Sequence, residues 1–296
     1  MAEVPVAAPD AVVLVAHGSR SPAGREEMEA LAASVARARP GVEVRLGYLE
    51  LCDPPAAAVI DDVLSAGASC VAVTPLMLHA AGHSKSDVPA VVAAARAHHP
   101  GARLVYARPL GADHTLLTLA RARLAEAGGC GLPLAVLARG SSDPDANAEA
   151  YRVSRLLADM CATSVVATGF SGVTWPSVPE ALEQLRRLGA EQVAAFAWFI
   201  ATGLLVDRMQ EDFGRFSDRT GVPVVFAGHL GVGPGVVSLV LERVDEAMAG
   251  QAVPNCDACA YRRPFPGLEE RVGLPIGVGH SHLASDHLHQ AHRHHH

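Results

Sequence analysis

Three residues in this 296-residue chain sit where chemistry is easiest to place. His17 ends the apolar run Ala11–Ala16, Glu50 lies at the end of GYLEL, and His83 follows the run that begins at Val71. Imidazole suits Co, Ni, Fe, Cu and Zn, and a carboxylate adds negative charge to such a site. Two histidines and a glutamate on loops leave coordination positions open, so they could hold an ion and release it. An imidazole, with a pKa near about 6.5, can also take up a proton. Each residue has a plainer reading. A histidine at a strand end commonly just hydrogen-bonds a loop, and Glu50 could cap the next helix. His79 is read either as a further ligand or as a group supporting the ligands.

The elements that must position these residues alternate. Strands are expected at Ala11–Ala16, Val42–Leu51, Cys70–Leu78 and Arg103–Arg108, and helices at Arg25–Ala38, Pro55–Ala66, Val88–His98 and His114–Ala127. Short apolar strands alternating with helical patterns predict an α/β fold, a parallel sheet flanked by helices. The stretch VAVTPLML opens on apolar residues with no polar interruption before Thr74, which suits a strand buried on both faces. It breaks at Ala80-Ala81-Gly82, which puts His83 at the start of a helix. Ligands of open α/β sheets bind at the carboxyl ends of the strands, and His17, Glu50 and His83 all fall there.

The pattern then repeats. A shift of 122 positions carries Ala16-His17-Gly18-Ser19 onto Ala138-Arg139-Gly140-Ser141, Gly47 onto Gly169, Pro54 onto Pro176 and Gly67-Ala68 onto Gly189-Ala190. Turn glycines and prolines are what a duplicated backbone must keep. The expected organisation is a leader at 1–10, a half at 11–127, a linker at 128–132, a second half at 133–250 and a tail at 251–296. The two halves would face each other across a cleft. The same shift takes His17 to Arg139, Glu50 to Gly172 and His83 to Leu205. The joint loss of all three from the second half suggests that they form one site, kept only in the first.

Composition excludes several functions. A formal charge of −7 with only 24 Lys plus Arg argues against nucleic-acid binding, and aromatics are too few for a base-stacking surface. No apolar run approaches the roughly 20 residues of a membrane span. The start has no secretory pattern, so the cytoplasm is expected, with Cys52, Cys70, Cys130 and Cys161 as reduced core residues. Cys256 and Cys259 have the spacing of half a metal site, with a disulfide or two idle thiols as alternatives. The 17 residues from His280 hold eight histidines, a composition that attracts divalent metals.

Holding a metal loosely and accepting protons are the two abilities needed to insert a metal into a tetrapyrrole, where two pyrrole protons must leave. The motifs HGSR at 17–20, GYLEL at 47–51 and GHSKSDVP at 82–89 resemble the sirohydrochlorin chelatases of the ATP-independent, class II type. The two-half length, the CxxC and the His-rich tail are similar to the long cobaltochelatase form. The resemblance implies Co²⁺ as metal substrate, or Fe²⁺ in a ferrochelatase, with sirohydrochlorin as partner and no ATP. It implies His17, His83 and Glu50 as metal ligands, and an iron–sulfur cluster or metal at Cys256 and Cys259. In some long forms a methionine stands two positions before the CxxC; here that position is Pro254. Ser19, Arg20 and Lys85 are the expected partners of substrate carboxylates. A monomer is expected, with an oligomer left open. The competing functions are a His-rich metal-storage or metal-delivery protein and a two-lobed binding protein.

Overall fold

The computed structural model describes residues 8–252. Cys256, Cys259 and the histidines from His280 onward lie outside the described residues. The first half contains β1 (Ala11–Ala16), α1 (Pro22–Ala38), β2 (Glu43–Tyr48), α2 (Ala56–Ser65), β3 (Cys70–Pro75), α3 (Val88–His98), β4 (Arg103–Tyr106) and α4 (His114–Glu126). A one-turn π-helix, His83–Asp87, runs into α3. The second half repeats the series as β5 (Leu134–Ala138), α5 (Pro144–Met160), β6 (Val166–Phe170), α6 (Val178–Arg187), β7 (Val193–Ala197), α7 (Leu204–Thr220), β8 (Val224–His229) and α8 (Pro234–Met248).

The two sheets are parallel and have matching orders, β2-β1-β3-β4 and β6-β5-β7-β8. Each chain path leaves its central strand first to one side and then to the other. The crevice at this switch, above the ends of β1 and β3, is where such sheets bind ligands. All six residues of β1 are buried. Val12, Leu14 and Ala16 face the core between the sheets, and Ala11, Val13 and Val15 face the core beneath α2 and α3. This period-2 division of a wholly apolar strand is what covering both faces of a sheet requires.

Three expected strands are shorter than the sequence suggests. β2, β3 and β4 stop at Tyr48, Pro75 and Tyr106, because their neighbours in the sheet end there and the chain turns away. The helix expected from Arg25 begins earlier, at Pro22, with Ser21 as N-cap. Proline is well suited to a first helical turn, where its missing N–H has no partner to lose.

Between the sheets lie α1, α4, α5 and α8, whose apolar faces build one shared core; α2 and α3 cover the far side of one sheet, α6 and α7 that of the other. The last helix of each half has crossed over. α8 packs on β3, β4 and α1, while α4 packs on β7, β8 and α5. Arg243 of α8 is fully buried in this exchange. Its guanidinium donates to Asp113 Oδ2 at 2.6 Å, to Glu246 Oε1 at 2.9 Å and to the Leu110 carbonyl at 3.2 Å. Arg108 reinforces the seam with a two-pronged pair to Glu246 at 2.7 and 2.8 Å. Of the scattered cysteines, Cys130 and Cys161 come together, with sulfurs 3.1 Å apart, and burial first and the neighbouring thiol second push Cys161 up to about 12.

Candidate metal centre

His17 leaves the end of β1 and Glu50 the end of β2, and a glycine brings them together. Gly18 has φ +106°, and a Cβ there would lie 1.8 Å from the Glu50 carbonyl oxygen. Only glycine permits both the conformation and the approach. The Glu50 amide donates to the His17 carbonyl at 3.1 Å, and Glu50 Oε1 lies 2.8 Å from His17 Nδ1.

His83 arrives from β3 on the π-turn. π-Turns inside helices are frequent at functional sites, and this one is tied down on several sides. The Tyr106 hydroxyl donates to the Ser84 carbonyl at 2.7 Å, and the Ser84 hydroxyl donates to the Ala81 carbonyl at 3.0 Å. Burial raises the pKa of Tyr106, so the phenol stays a donor. His83 Nδ1 lies 2.6 Å from Asp87 Oδ2, one turn on.

The candidate ligand atoms of His17, Glu50 and His83 lie within 4.8 Å of one another. The two imidazoles stand 4.7 Å apart, centroid to centroid, tilted by 42°. Their side chains are 27%, 20% and 21% exposed, in the order His17, Glu50, His83, so the group is anchored from below and open above. Two neutral imidazoles and a carboxylate could hold a divalent ion with positions to spare.

The other expected residues separate into two sets. Ser19 shapes the turn: its Oγ accepts from the Ser21 amide at 3.1 Å, and its own amide reaches Cys52 Sγ at 3.3 Å. Arg20 is exposed beside it. His79 stands outside the three-residue group and pairs with Glu149 of the second half, Nδ1 to Oε2, at 3.1 Å. Lys85, expected at the mouth, is largely buried and donates to Asp143 at 2.8 Å and Asp145 at 2.7 Å, also in the second half. Burial works against its ammonium, but the hydrogen bonds and charges of the two aspartates together raise its pKa. Arg139, the counterpart of His17, is reached by solvent. Desolvation by the protein around it lowers its pKa, and the charge of Glu50 opposes that shift, so the cation and the site carboxylate feel each other.

Asp87 and Glu149 were missed from sequence. Asp87 carried a signal in its i,i+4 spacing from His83. Glu149 also carried one, since it falls in the apolar stripe Ala146, Ala150, Val153, Leu157 of α5, where a carboxylate needs a partner.

The chain resembles known proteins over most of its length. The chain is 34% identical over 258 residues to a sirohydrochlorin cobaltochelatase of Priestia megaterium, covering 85% of this chain and 84% of that one. It is 26% identical over 245 residues to a sirohydrochlorin ferrochelatase of Bacillus subtilis, covering 81% and 92%. The crystal structure of the sirohydrochlorin chelatase SirB from Bacillus subtilis subspecies spizizenii, in complex with cobalt, superposes with a TM-score of 0.69 at 25% identity, covering 82% of this chain and 97% of that one. The CbiX family model matches twice, over residues 11–127 and 133–247. The chain therefore belongs to the CbiX family and carries its unit in duplicate.

Proposed function

We propose that this protein is a sirohydrochlorin cobaltochelatase, inserting Co²⁺ into the tetrapyrrole without ATP and releasing two protons. The observation that carries the reading is the convergence of His17, Glu50 and His83 at the open switch point of one sheet only. Similarity supports cobalt ahead of iron, with 34% identity to a cobaltochelatase and 26% to a ferrochelatase.

His83, held at Nδ1 by Asp87, presents Nε2 to the ion. His17 and Glu50 complete a loose ligand set that leaves room for substrate. As pyrrole nitrogens replace these ligands, the released imidazoles and carboxylate can take the two protons. Arg20 and Arg139, both exposed, pair with substrate carboxylates. Cys256 and Cys259 are a candidate metal or iron–sulfur pair, and the His-rich tail a collector of divalent ions; neither enters the insertion step. The proposed setting is the cytoplasm, with the protein a monomer; among the described residues no helix is long and apolar enough to cross a membrane.

The test is anaerobic mixing of protein and sirohydrochlorin with Co²⁺, Fe²⁺ or Ni²⁺, followed by absorption spectroscopy. Co²⁺ insertion is expected to be fastest. Faster Fe²⁺ insertion makes the protein a ferrochelatase. Metal uptake by the eight tail histidines with no insertion would make it a storage or delivery protein.

A further inference from the structure

The duplicated halves meet through two related glutamates. Glu27 of α1 and Glu149 of α5 are equivalent under the 122-residue shift, and each reaches into the opposite half. Glu27 Oε2 accepts from the Thr202 amide at 2.7 Å and lies 3.3 Å from His229 Nε2. Glu149 accepts from the Ala112 amide at 2.9 Å and pairs with His79 at 3.1 Å. A second link exists on one side only. Lys85 is clamped by Asp143 and Asp145, whereas the equivalent positions are Asp207, Ser21 and Ala23.

The clamp and the Glu149–His79 pair fall on the same segment. His79 and Lys85 bracket His83, four residues before it and two after. The residues gripping them sit on the first two turns of α5, a well-built element: Asp143 caps it by accepting from the Asp145 amide at 3.0 Å, and Asn147 ties its entry loop to Ser141 at 2.7 and 2.9 Å. Residues supporting a metal ligand commonly matter almost as much as the ligand.

We propose that Asp143, Asp145 and Glu149 of the second half are positioning residues that hold His83 in ligating geometry, by gripping Lys85 and His79 on either side of it. The inference rests on the chelatase reading and gives the half without metal ligands a task in the same reaction. Lys85 is then a structural cation rather than a contact of substrate.

The experiment uses the full chain and steady-state Co²⁺ insertion into sirohydrochlorin, with KM for metal, KM for sirohydrochlorin and kcat measured separately, and thermal midpoints alongside. Lys85→Met, Asp145→Asn and Glu149→Gln should each raise KM for Co²⁺ on the order of tenfold. Lys85→Arg should restore most of that loss. Glu27→Gln cuts the equivalent contact on the side without ligands, so it should lower the thermal midpoint about as much as Glu149→Gln while leaving KM for Co²⁺ within about twofold. The inference is overturned if Glu27→Gln shifts KM for Co²⁺ as far as Glu149→Gln does. It is also overturned if Lys85→Met raises KM for sirohydrochlorin alone, which would make Lys85 a substrate contact. If the parent inserts no metal, the chelatase reading fails and this inference with it.

Discussion

The same strand-end positions are occupied by His17, Glu50 and His83 in one half and by Arg139, Gly172 and Leu205 in the other. The backbones beneath them correspond closely. Gly18 and Gly140 both have positive φ, and a Cβ on either would strike the carbonyl oxygen of residue 50 or 172. Leu51 and Val173 share φ values of 64° and 68°. The turns that could present ligands have thus been kept where the ligands have not. The halves diverge most after the third strand. In the first a π-turn leads into α3; in the second α7 starts directly at Leu204. The second half has its packing role and its acidic contacts to the His83 segment, while the candidate metal-binding side chains stand on one side only.

The largest effect should come from breaking what the halves share. Arg243 belongs to the second half in sequence and to the first in space. Removing one member of a buried ionic cluster costs about 3–5 kcal/mol. Arg243→Met should fall near the lower end, about 3 kcal/mol, because Asp113 keeps the Thr115 amide and Glu246 keeps Arg108. Chemical denaturation would measure this, and a loss below about 1 kcal/mol would mean that the crossed helices are held by apolar packing alone.

Next come the ligands. Loss of a group supporting a metal ligand typically costs 10–100-fold, so His17→Ala and His83→Ala should each slow cobalt insertion by at least about 100-fold. That corresponds to about 2.7 kcal/mol of barrier. Melting curves should stay close to the parent's, since both side chains are partly exposed and lie at the ends of elements. Retention of near-parental rates by both variants would remove the asymmetry between the halves. Glu50→Gln keeps an oxygen and loses the charge, so a smaller fall, about tenfold, is expected from the same rate assay.

Some of this was legible in the sequence and some was not, for physical reasons. Apolar runs such as Val71–Val73 specify buried strands because a parallel sheet is dry on both faces, and the duplicated glycines mark turns that only glycine tolerates. The exchange of α4 and α8 left no such trace. An amphipathic helix records that one face is covered, and the two sheets offer it equivalent apolar surfaces. The burial of Lys85 was not legible because a lysine near a cleft reads as a solvated cation, while its partners, Asp143 and Asp145, lie 58 and 60 residues away in sequence. His17, Glu50 and His83 come together in one group, and strand-end position alone suggests them, with no need to know which distant elements pack around them.

The smallest expected effect is the most direct test of why the halves differ. In a His17→Ala background, the triple change Arg139→His, Gly172→Glu and Leu205→His places the metal-binding side chains on the second half. If side-chain identity were sufficient, insertion would return. The structure argues against this. Position 205 lies in the first turn of a regular α-helix rather than on a π-turn. The residue one turn later, where His83 has Asp87, is the buried Met209, so an introduced imidazole has no carboxylate to orient it. The position equivalent to Lys85 is Asp207, and those equivalent to Asp143 and Asp145 are Ser21 and Ala23, so the lysine clamp has no counterpart here. Insertion should therefore remain within about twofold of the His17→Ala background, because ligands set loosely lose their value when their supports are missing. A recovery of tenfold or more would show that the support around His83 matters less than the ligands themselves, and that the second half is kept from chemistry by three side chains alone.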